Sequence, residues 1–324
     1  MRSEVFMRVA EFPSVKVSLL PAFAFVLLLA SLACSGGGST PNGGTTNISN
    51  GISTQHVVLV VLENTNYTDV ANNGTVAPFL NSLAAQGSLV KNYYANTHPS
   101  IGNYFELTTG TMPTQDDSFT GVVSNPSIVE SLGAVGKSWR FYGESLPSVG
   151  YIGGDQFPYL RHHNPFSYLA AVQNSQAQLA NLVPFTQFSN DLASGNLPAF
   201  AMVVPNAIDD VHSCPDGTTT TCTLAQRLTT ADTWLRNNIG PLLSNAQFQQ
   251  NGVLAITFDE SFNDNTNGGG QVFTVVAGSH VKPSYVATGT YQHQSMLRSI
   301  LQLLGASDYP GDAAGAPAMT EIFQ

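Results

Sequence analysis

The chain has 324 residues, of which only 10% are charged, and its formal net charge at pH 7 is -10. This length accommodates one large α/β domain or two small ones. Because clustered Lys and Arg side chains are needed to bind a phosphate backbone, and the sequence contains no basic cluster, we expect no nucleic-acid partner.

The first 54 residues have the composition of an export signal followed by a tether. Basic residues precede an apolar segment at 17–33, which predicts a signal peptide at 1–33. The following Gly, Ser, Thr and Asn residues predict a flexible tether at 34–54. We therefore expect an exported protein, in the periplasm or at the cell surface.

Cys34 begins the tether and resembles the lipid-bearing cysteine of a bacterial lipoprotein signal. The position three before it is Ser31, where an aliphatic residue is usual. Lipidation of Cys34 and ordinary signal-peptidase cleavage both remain open, with an uncleaved anchor as a third interpretation. The only membrane contact that we expect is a lipid anchor at Cys34.

The rest of the chain alternates between predicted strands and helices. The run from His56 to Leu62 is apolar without polar alternation, which indicates a central strand covered on both faces. Further strands are predicted at 88–94, 138–142, 198–204, 252–258 and 271–277, and helices at 77–86, from about Pro99, at 128–135, 224–243 and 295–304. This alternation predicts a three-layer αβα sandwich with a mostly parallel central sheet. We expect the domain at 55–305, with a rim or lid insertion at about 143–190 and a C-terminal tail at 306–324.

Polar residues directly follow three of the predicted core strands. In parallel α/β sheets the ligand site lies beyond the carboxyl ends of the strands, so these residues are expected to meet. Hard oxygen ligands with a few imidazoles suit Ca²⁺, Mg²⁺, Mn²⁺ or Zn²⁺. The candidate ligands are Glu63, Asn64, Asp259 and Glu260, with Asp210, His212 and His293 near them.

Thr97 is the candidate nucleophile. It precedes the helix predicted from Pro99, where the free backbone amides favour an anion such as phosphate. A hydroxyl on a divalent cation loses its proton more readily, which points to phosphate ester hydrolysis. Ser100 competes for this role and ranks second, because it lies about a turn inside the predicted helix.

Cys214 and Cys222 enclose a short turn-rich segment. In an exported chain a pair this close predicts a disulfide that closes the loop. A metal pair is the weaker interpretation, since CxxC spacing is absent.

Several short motifs share an order along residues 55–304. They are Glu63-Asn64, Thr97-His-Pro-Ser100 with Asn103-Tyr104 and Gly110, Arg161-His-His-Asn-Pro-Phe166, Pro205-Asn206 with Asp210-Val-His212, Thr257-Phe-Asp-Glu260, and Tyr291-Gln-His293. Together they resemble the bacterial phosphoesterase family of the alkaline phosphatase superfamily, which includes phospholipases C and acid phosphatases. The resemblance implies an alkaline phosphatase-like fold.

The resemblance also implies roles for individual residues. The divalent cation would be held by Glu63, Asn64, Thr97, Asp259 and Glu260, and Thr97 would form a phosphothreonine that water hydrolyses. His163, His212 and His293 would bind phosphoryl oxygens or protonate the leaving group. Asn103, His162 and Asn164 are expected to contact substrate, although the sequence does not distinguish His162 from His163. Two-metal relatives use a set resembling Asp210, His212 and His293, so the number of metal ions stays open.

We therefore expect a metal-dependent hydrolase acting on a small phosphate ester or a phospholipid, as an acid phosphatase or a phospholipase C-like diesterase. The alternative is a surface-tethered binding protein that retains the fold without the chemistry. Such a protein would lack the nucleophile or a metal carboxylate, whereas this chain keeps Thr97 and its acidic pairs.

Overall fold

A central sheet runs through the part of the chain that a computed structural model describes, namely Ile48, Ile52 and residues 54–324. The strands are β1 (His56–Leu62), β2 (Ser88–Tyr94), β3 (Trp139–Gly143), β4 (Leu182–Pro184), β5 (Phe200–Val204), β6 (Gly252–Phe258), β7 (Val275–Gly278) and β8 (Tyr285–Gln292). The predictions for the signal peptide, for Cys34 and for most of the tether lie outside the described residues.

Eleven α-helices connect these strands within the described ranges. They are α1 (Tyr67–Val70), α2 (Pro78–Gln86), α3 (Ser100–Thr109), α4 (Ile128–Ala134), α5 (Ala170–Gln173), α6 (Gln176–Leu179), α7 (Thr186–Ser194), α8 (Leu224–Asn238), α9 (Gly240–Ser244), α10 (Ala246–Asn251) and α11 (His293–Leu303). Short 3₁₀ turns lie at Arg161–His163, Pro165–Tyr168, Gly311–Ala314 and Thr320–Ile322. None of the helices in this part of the chain combines the length and the apolar character needed to cross a bilayer.

The strand order is β4-β3-β5-β1-β6-β7-β2-β8. β7 pairs antiparallel with both β6 and β2, and every other pairing between neighbouring strands in this order is parallel. Seven strands therefore point their carboxyl ends to the same edge of the sheet. β1 lies in the middle, between β5 and β6, so the residues that follow these three strands emerge side by side.

The sheet is covered on both faces. Side chains along a strand alternate between the two faces, and six consecutive residues of β1 and all seven of β6 are buried. Helix α2 packs against β2, β7 and α8, while α3 packs against α11. This arrangement gives the mostly parallel central layer between helices that the sequence predicts.

The largest differences from the predicted elements occur at β7 and at the sheet edges. The strand predicted at 271–277 begins only at Val275, because Gln271 to Thr274 bridge to their neighbours without forming a regular ladder. Strands β4 and β8 were not predicted. β8 is an edge strand whose burial alternates weakly, and β4 has only three residues.

Segments at both ends of the predicted domain pack onto the sheet and its helices. Ile48 is buried, and its backbone N–H donates to Oε1 of Gln302 at 3.0 Å. Near the other end, the carboxylate of Glu321 accepts hydrogen bonds from the hydroxyls of Tyr285 and Tyr291, at 2.9 and 2.8 Å. These contacts fasten edge strand β8, which pairs directly with the strand that leads to Thr97.

Candidate active site

The centre of the site forms where β1 and β6 end. The parallel register pairs Leu62 with Phe258, so Glu63 and Asp259 leave the sheet next to each other. Asn64 turns the chain away with a positive φ of 40°, and its backbone N–H donates to Oδ1 of Asp259 at 3.1 Å. The two acidic segments therefore share a hydrogen bond beyond the strand ends.

The Glu63 carboxylate is fully buried and contacts three other polar side chains. The hydroxyl of Tyr104 donates to Oε1 at 2.9 Å, and the hydroxyl of Ser100 donates to Oε2 at 3.1 Å. The side-chain amide of Asn64 also donates to Oε2. Helix α3 supplies two of these donors, so its first turns are fixed against the end of β1.

Asn103 holds the backbone of Thr97 at two points. Its Oδ1 accepts the Thr97 N–H at 3.1 Å, and its Nδ2 donates to the Thr97 carbonyl at 2.8 Å. The same Nδ2 lies 3.4 Å from Oε2 of Glu260. From Thr97 the chain continues through His98 and Pro99 into α3, which begins at Ser100. Asn103 thus links the candidate nucleophile to the acidic pair after β6.

The Thr97 hydroxyl and the Ser100 hydroxyl have different partners. Oγ1 of Thr97 accepts a hydrogen bond from Nε2 of Gln115 at 2.7 Å and donates to the carbonyl of His98 at 3.0 Å. The hydroxyl that contacts Glu63 belongs to Ser100. Among the contacts of the described residues, Thr97 reaches the carboxylates through Asn103, whereas Ser100 reaches them directly.

His163 and Asp210 complete the buried part of the site. Nε2 of His163 lies 3.2 Å from Oε1 of Glu63, and its Nδ1 lies 3.2 Å from Oδ2 of Asp210. The Tyr104 ring stacks on the His163 imidazole with centroids 5.3 Å apart. Oδ1 of Asp210 accepts the backbone N–H of His212 at 2.8 Å. The insertion after β3 therefore delivers an imidazole between the ends of β1 and β5.

His293 lies behind the site with both ring nitrogens engaged. It is fully buried, its Nε2 is 2.6 Å from the carbonyl oxygen of Asp259, and its Nδ1 is 3.1 Å from the hydroxyl of Tyr93. Because a carbonyl only accepts, Nε2 carries the proton and Nδ1 accepts from Tyr93. His293 contacts the backbone of a candidate ligand rather than a space open to substrate.

The other two predicted substrate contacts also have partners within the protein. Asn164 is buried, donates to the hydroxyl of Tyr159 at 3.1 Å and accepts the backbone N–H of Ser167 at 3.3 Å. His162 lies nearer the surface, with Nδ1 3.5 Å from a carboxylate oxygen of Asp155. Asn164 thus stabilises the turn that carries His163, and His162 is the one of this pair that lies toward solvent.

The site concentrates negative charge in a buried space. Burial and repulsion among neighbouring acids raise the pKa values of Glu63, Asp210 and Asp259 well above their ordinary range. Burial also raises the pKa of Glu260. A carboxylate cluster of this kind is costly unless a cation compensates it, because desolvated like charges repel one another strongly.

The nearby imidazoles divide into two classes. Burial lowers the pKa of His163 well below its ordinary value and also lowers that of His212, and burial lowers the pKa of His293 to about 4. By contrast, the hydrogen bond to Glu260 raises the pKa of His98 to about 9. His98 is therefore a cation at pH 7, and it lies 3.0 Å from Glu260 at the edge of the cluster.

The donor set fits a divalent cation. Oδ2 of Asp259, Oδ2 of Asp210 and Nε2 of His163 are buried and make no hydrogen bond with the described residues. Ligand atoms of Glu63, His163 and His212 all lie within 4.8 Å of one another. Buried carboxylate oxygens and imidazole nitrogens that lie this close together suit Zn²⁺ or Mn²⁺, and the oxygens alone also suit Mg²⁺ or Ca²⁺.

Three residues of the site were not predicted from sequence: Tyr104, His98 and Gln115. Tyr104 lies one turn beyond Ser100 on α3, and the helical spacing could have indicated it. His98 is next to Thr97, but an imidazole between Thr and Pro gives no signal of a carboxylate partner 162 residues later. Gln115 lies in an irregular loop, where periodicity carries no information.

Comparisons with known proteins agree with this geometry. The model of the Phosphoesterase family matches residues 71–306. A Kluyveromyces lactis protein named "Probable acid phosphatase" is 33% identical over 272 residues, which is 79% of this chain and 60% of that protein. The "Phosphatidylinositol-3-phosphatase" of Mycobacterium tuberculosis is 31% identical over 306 residues, which is 92% of each chain.

The fold has solved counterparts. A protein in the alkaline phosphatase superfamily from Vibrio parahaemolyticus has a TM-score of 0.60 and 13% sequence identity, over 81% of this chain and 69% of that chain. At this identity the likeness concerns the fold alone. It confirms the predicted αβα architecture with a mostly parallel central sheet.

Proposed function

Because the chain belongs to the Phosphoesterase family, we propose that it is a metal-dependent hydrolase of phosphate monoesters. The observation that carries this proposal is the buried group of carboxylates beyond β1, β5 and β6, to which Asn103 connects Thr97: its Nδ2 donates to the Thr97 carbonyl and lies 3.4 Å from Oε2 of Glu260. The names of two relatives, an acid phosphatase and a phosphatidylinositol phosphatase, support a monoester over a diester. The chain spans only 60% of the Kluyveromyces relative, so the substrate itself belongs to this proposal.

The cation would be held by Glu63, Asn64, Asp259 and Glu260, with Asp210, His163 and His212 on the side of β5. When bound, it supplies positive charge that neutralises the carboxylates and favours the alkoxide form of a nearby hydroxyl. Without such charge, a phosphate dianion entering this acidic site would be repelled. Metal binding and substrate binding are therefore expected to depend on each other.

Thr97 is the proposed nucleophile. Its hydroxyl proton passes to water at the mouth of the site, Oγ1 forms a bond to phosphorus, and the bond from phosphorus to the ester oxygen breaks. The departing oxygen takes a proton from water. A second water then bonds to phosphorus and gives a proton to the imidazole of His212, which burial keeps neutral and able to accept it, while the bond from phosphorus to Oγ1 breaks and Oγ1 takes a proton from the His212 imidazolium. The products are the alcohol and inorganic phosphate.

Asn103 and His293 act as positioning residues in this scheme. Asn103 fixes the backbone of Thr97 through both its N–H and its carbonyl. His293 donates to the backbone carbonyl of Asp259 and so holds that candidate ligand. This differs from the sequence-based expectation that Asn103 binds substrate and His293 takes part in proton transfer.

The nucleophile is tested by comparing Thr97→Ala with Ser100→Ala. On p-nitrophenyl phosphate we expect Thr97→Ala to lower kcat by about 10³-fold or more, since the covalent route is lost. Ser100→Ala should retain a larger share of activity, because it removes a contact to Glu63 and not the attacking atom. Acid quenching during turnover, followed by mass spectrometry, should place the trapped phosphate on Thr97. Phosphate on Ser100, or an active Thr97→Ala protein, would exclude the assignment.

Metal dependence is tested by removing bound metal ions with a chelator and then adding single metal ions back. Chelation should abolish turnover, and Ca²⁺, Mg²⁺, Mn²⁺ and Zn²⁺ added singly should restore it to different extents. Asp259→Asn should bind the restoring ion more weakly than wild type. Full activity in the demetallated protein, confirmed by elemental analysis, would contradict the proposal.

We also propose that the enzyme works outside the cytoplasm. The disulfide between Cys214 and Cys222 supports an oxidising compartment. Metabolic labelling with a radioactive fatty acid, with Cys34→Ser as the control, distinguishes a lipid anchor from a freely released protein. Recovery of the labelled wild type in the cytoplasmic fraction would argue against export.

A further inference from the structure

We propose that Gln115 is a further catalytic residue, whose side-chain amide stabilises the negative charge on Oγ1 of Thr97 when its hydroxyl proton is lost for attack on phosphorus and when Oγ1 leaves phosphorus on hydrolysis. This inference rests on the proposed function, in which Thr97 is the nucleophile. Gln115 lies outside every motif identified in the sequence. It comes from the loop between α3 and α4.

Oγ1 of Thr97 makes two hydrogen bonds, and Gln115 is the donor in one of them. Nε2 of Gln115 donates to Oγ1 at 2.7 Å, and the hydroxyl proton of Thr97 is directed to the carbonyl of His98 at 3.0 Å. With these two directions occupied, one lone pair of Oγ1 remains to attack phosphorus. Gln115 is the one side chain of the described residues that donates a hydrogen bond to this oxygen.

The contribution of Gln115 grows as the reaction proceeds. When the hydroxyl loses its proton, the interaction with the His98 carbonyl changes from a hydrogen bond to a repulsion between two oxygens. The N–H of Gln115 then donates to an alkoxide, and hydrogen bonds to charged acceptors are about twice as strong as neutral ones. The amide therefore binds the transition state more strongly than the ground state, which is the condition for accelerating the chemical step.

The loop that carries Gln115 is held against the first turn of α3. Oδ1 of Asp117 accepts the backbone N–H of Ile101 at 3.0 Å. A Cβ added at Gly102 would lie 3.5 Å from the carbonyl oxygen of Thr114 and 3.6 Å from Cγ of Gln115. These are ordinary van der Waals separations, so the loop lies beside the first turns of α3 at Gly102. The donor is thus placed by packing and by a helix-capping carboxylate before any substrate arrives.

If Gln115 had only a structural role, its substitution would affect activity no more than substitution of a comparable surface glutamine. Gln115 is an exposed residue whose hydrogen bond to Thr97 is partly buried, and a neutral hydrogen bond of this kind contributes only about 1 kcal/mol to stability. Gln86 offers a matched control, because it is also exposed and its Nε2 donates to the hydroxyl of Ser82 at 2.8 Å. If Gln115 only supported the fold, Gln115→Ala and Gln86→Ala would behave alike.

The experiment measures kcat and KM on p-nitrophenyl phosphate for metal-loaded wild type, Gln115→Ala, Gln115→Glu and Gln86→Ala. Loss of one donor to a developing oxyanion lowers kcat by about 10²-fold or more, so Gln115→Ala should fall by that order with little change in KM. Gln86→Ala should match wild type. A Gln115→Ala protein with wild-type kcat overturns the inference.

Gln115→Glu keeps the shape and replaces the donor with an acceptor. We expect it to be less active than Gln115→Ala at pH 7, and its kcat relative to wild type should rise as the pH falls through about 4.3, where a glutamate side chain regains a proton and can donate. If the ratio of the Gln115→Glu kcat to the wild-type kcat does not change with pH, the inference is overturned, even if Gln115→Ala folds poorly.

A double-mutant cycle separates this inference from the proposed function. In a Thr97→Ala background, Gln115→Ala should lower the residual rate by less than about twofold, because the oxygen that it assists is gone. If Thr97→Ala is inactive and Gln115→Ala is fully active, the catalytic role of Gln115 is excluded and the proposed function stands. If Thr97→Ala retains wild-type activity, Thr97 is not the nucleophile, and the role proposed for Gln115 is excluded with it.

Discussion

At the scale of a single residue, Gly102 shows how closely Thr97, the proposed nucleophile, is packed. It lies in the first turns of α3, where alanine has the higher helix propensity by up to about 1 kcal/mol. A Cβ at this position would nevertheless lie 2.6 Å from Cγ2 of Thr97. Rotation of Thr97 about χ1 would relieve this overlap, but it would also move Oγ1 away from Gln115.

We predict that Gly102→Ala lowers kcat by about tenfold or more while the thermal midpoint changes little. The overlap involves the methyl group of Thr97, so Thr97→Ser should remove it. The double variant Gly102→Ala with Thr97→Ser should therefore have the activity of Thr97→Ser alone. Steady-state kinetics and calorimetry of the four proteins check this, and a double variant as impaired as Gly102→Ala would show that the helix itself is disturbed.

The sequence predicts correctly which residues lie close together where those residues follow buried strands. Glu63 and Asp259 come directly after apolar runs, and the sheet brings them together as expected. The contacts of His98 and Gln115 could not be predicted, because both residues lie outside helices and strands, where periodicity carries no information. Likewise, the engagement of both nitrogens of His293 depends on a tyrosine 200 residues away in sequence.

At the scale of elements, the disulfide loop connects α8 to the site. The predicted bond between Cys214 and Cys222 is present, and its sequence separation is 8 residues. Nη1 of Arg227 on α8 donates to the carbonyls of His212 and Thr219, at 3.3 and 3.2 Å. The loop and the helix therefore hold the segment that carries His212 from its carboxyl side.

We predict that replacing both cysteines with alanine lowers the unfolding free energy by about 2 to 3 kcal/mol, the loop-closure entropy expected for a ring of this size. Because Arg227 still holds the carbonyl of His212, kcat should fall less than fivefold. Urea unfolding and p-nitrophenyl phosphate kinetics, each with and without reductant, measure the two effects. A loss of activity much larger than the loss of stability would mean that the loop contacts substrate.

The elements that the sequence predicts are those with a strong pattern of their own. β1 and β6 are continuous apolar runs and were predicted to within a residue or two, as were β2 and α2. β8 was missed because its small and polar residues acquire their strand conformation from pairing with β2. An edge strand of this kind is determined by its neighbour more than by its own composition.

At the scale of the whole molecule, the acidic cluster couples stability to pH and to metal. The pKa values of Glu63, Asp210 and Asp259 are raised in the fold, so the metal-free folded state binds more protons than the unfolded state at neutral pH. The stabilisation from their protonation is complete below about pH 4 and is lost as the pH rises toward the folded pKa values. Bound metal replaces the protons and offsets this loss.

We predict that the thermal midpoint of the metal-free protein falls as the pH is raised from about 6.5 to 8, above the range in which the lowered pKa values of His163, His212 and His293 act in the opposite direction, and that saturating metal flattens this slope. At a free concentration of 100 times Kd, the ion adds about 2.7 kcal/mol. Asp259→Asn should flatten the metal-free slope and reduce the response to metal, whereas the exposed Asp308→Asn should change neither. This account would be contradicted if the difference in thermal midpoint between the metal-loaded and the metal-free protein became smaller as the pH rises.

The double attachment of Asn103 to Thr97 has a consequence for substrate choice. If Thr97 is the nucleophile that we propose, its main chain is held on both sides and does not adapt to different esters, so the phosphate group, which all of them share, must bind in one position. We then expect selectivity to depend on the alcohol portion of the ester and on the more exposed segment that carries Asp155 and His162. Efforts to redirect the enzyme to another alcohol should therefore vary that segment and leave the threonine and its asparagine untouched.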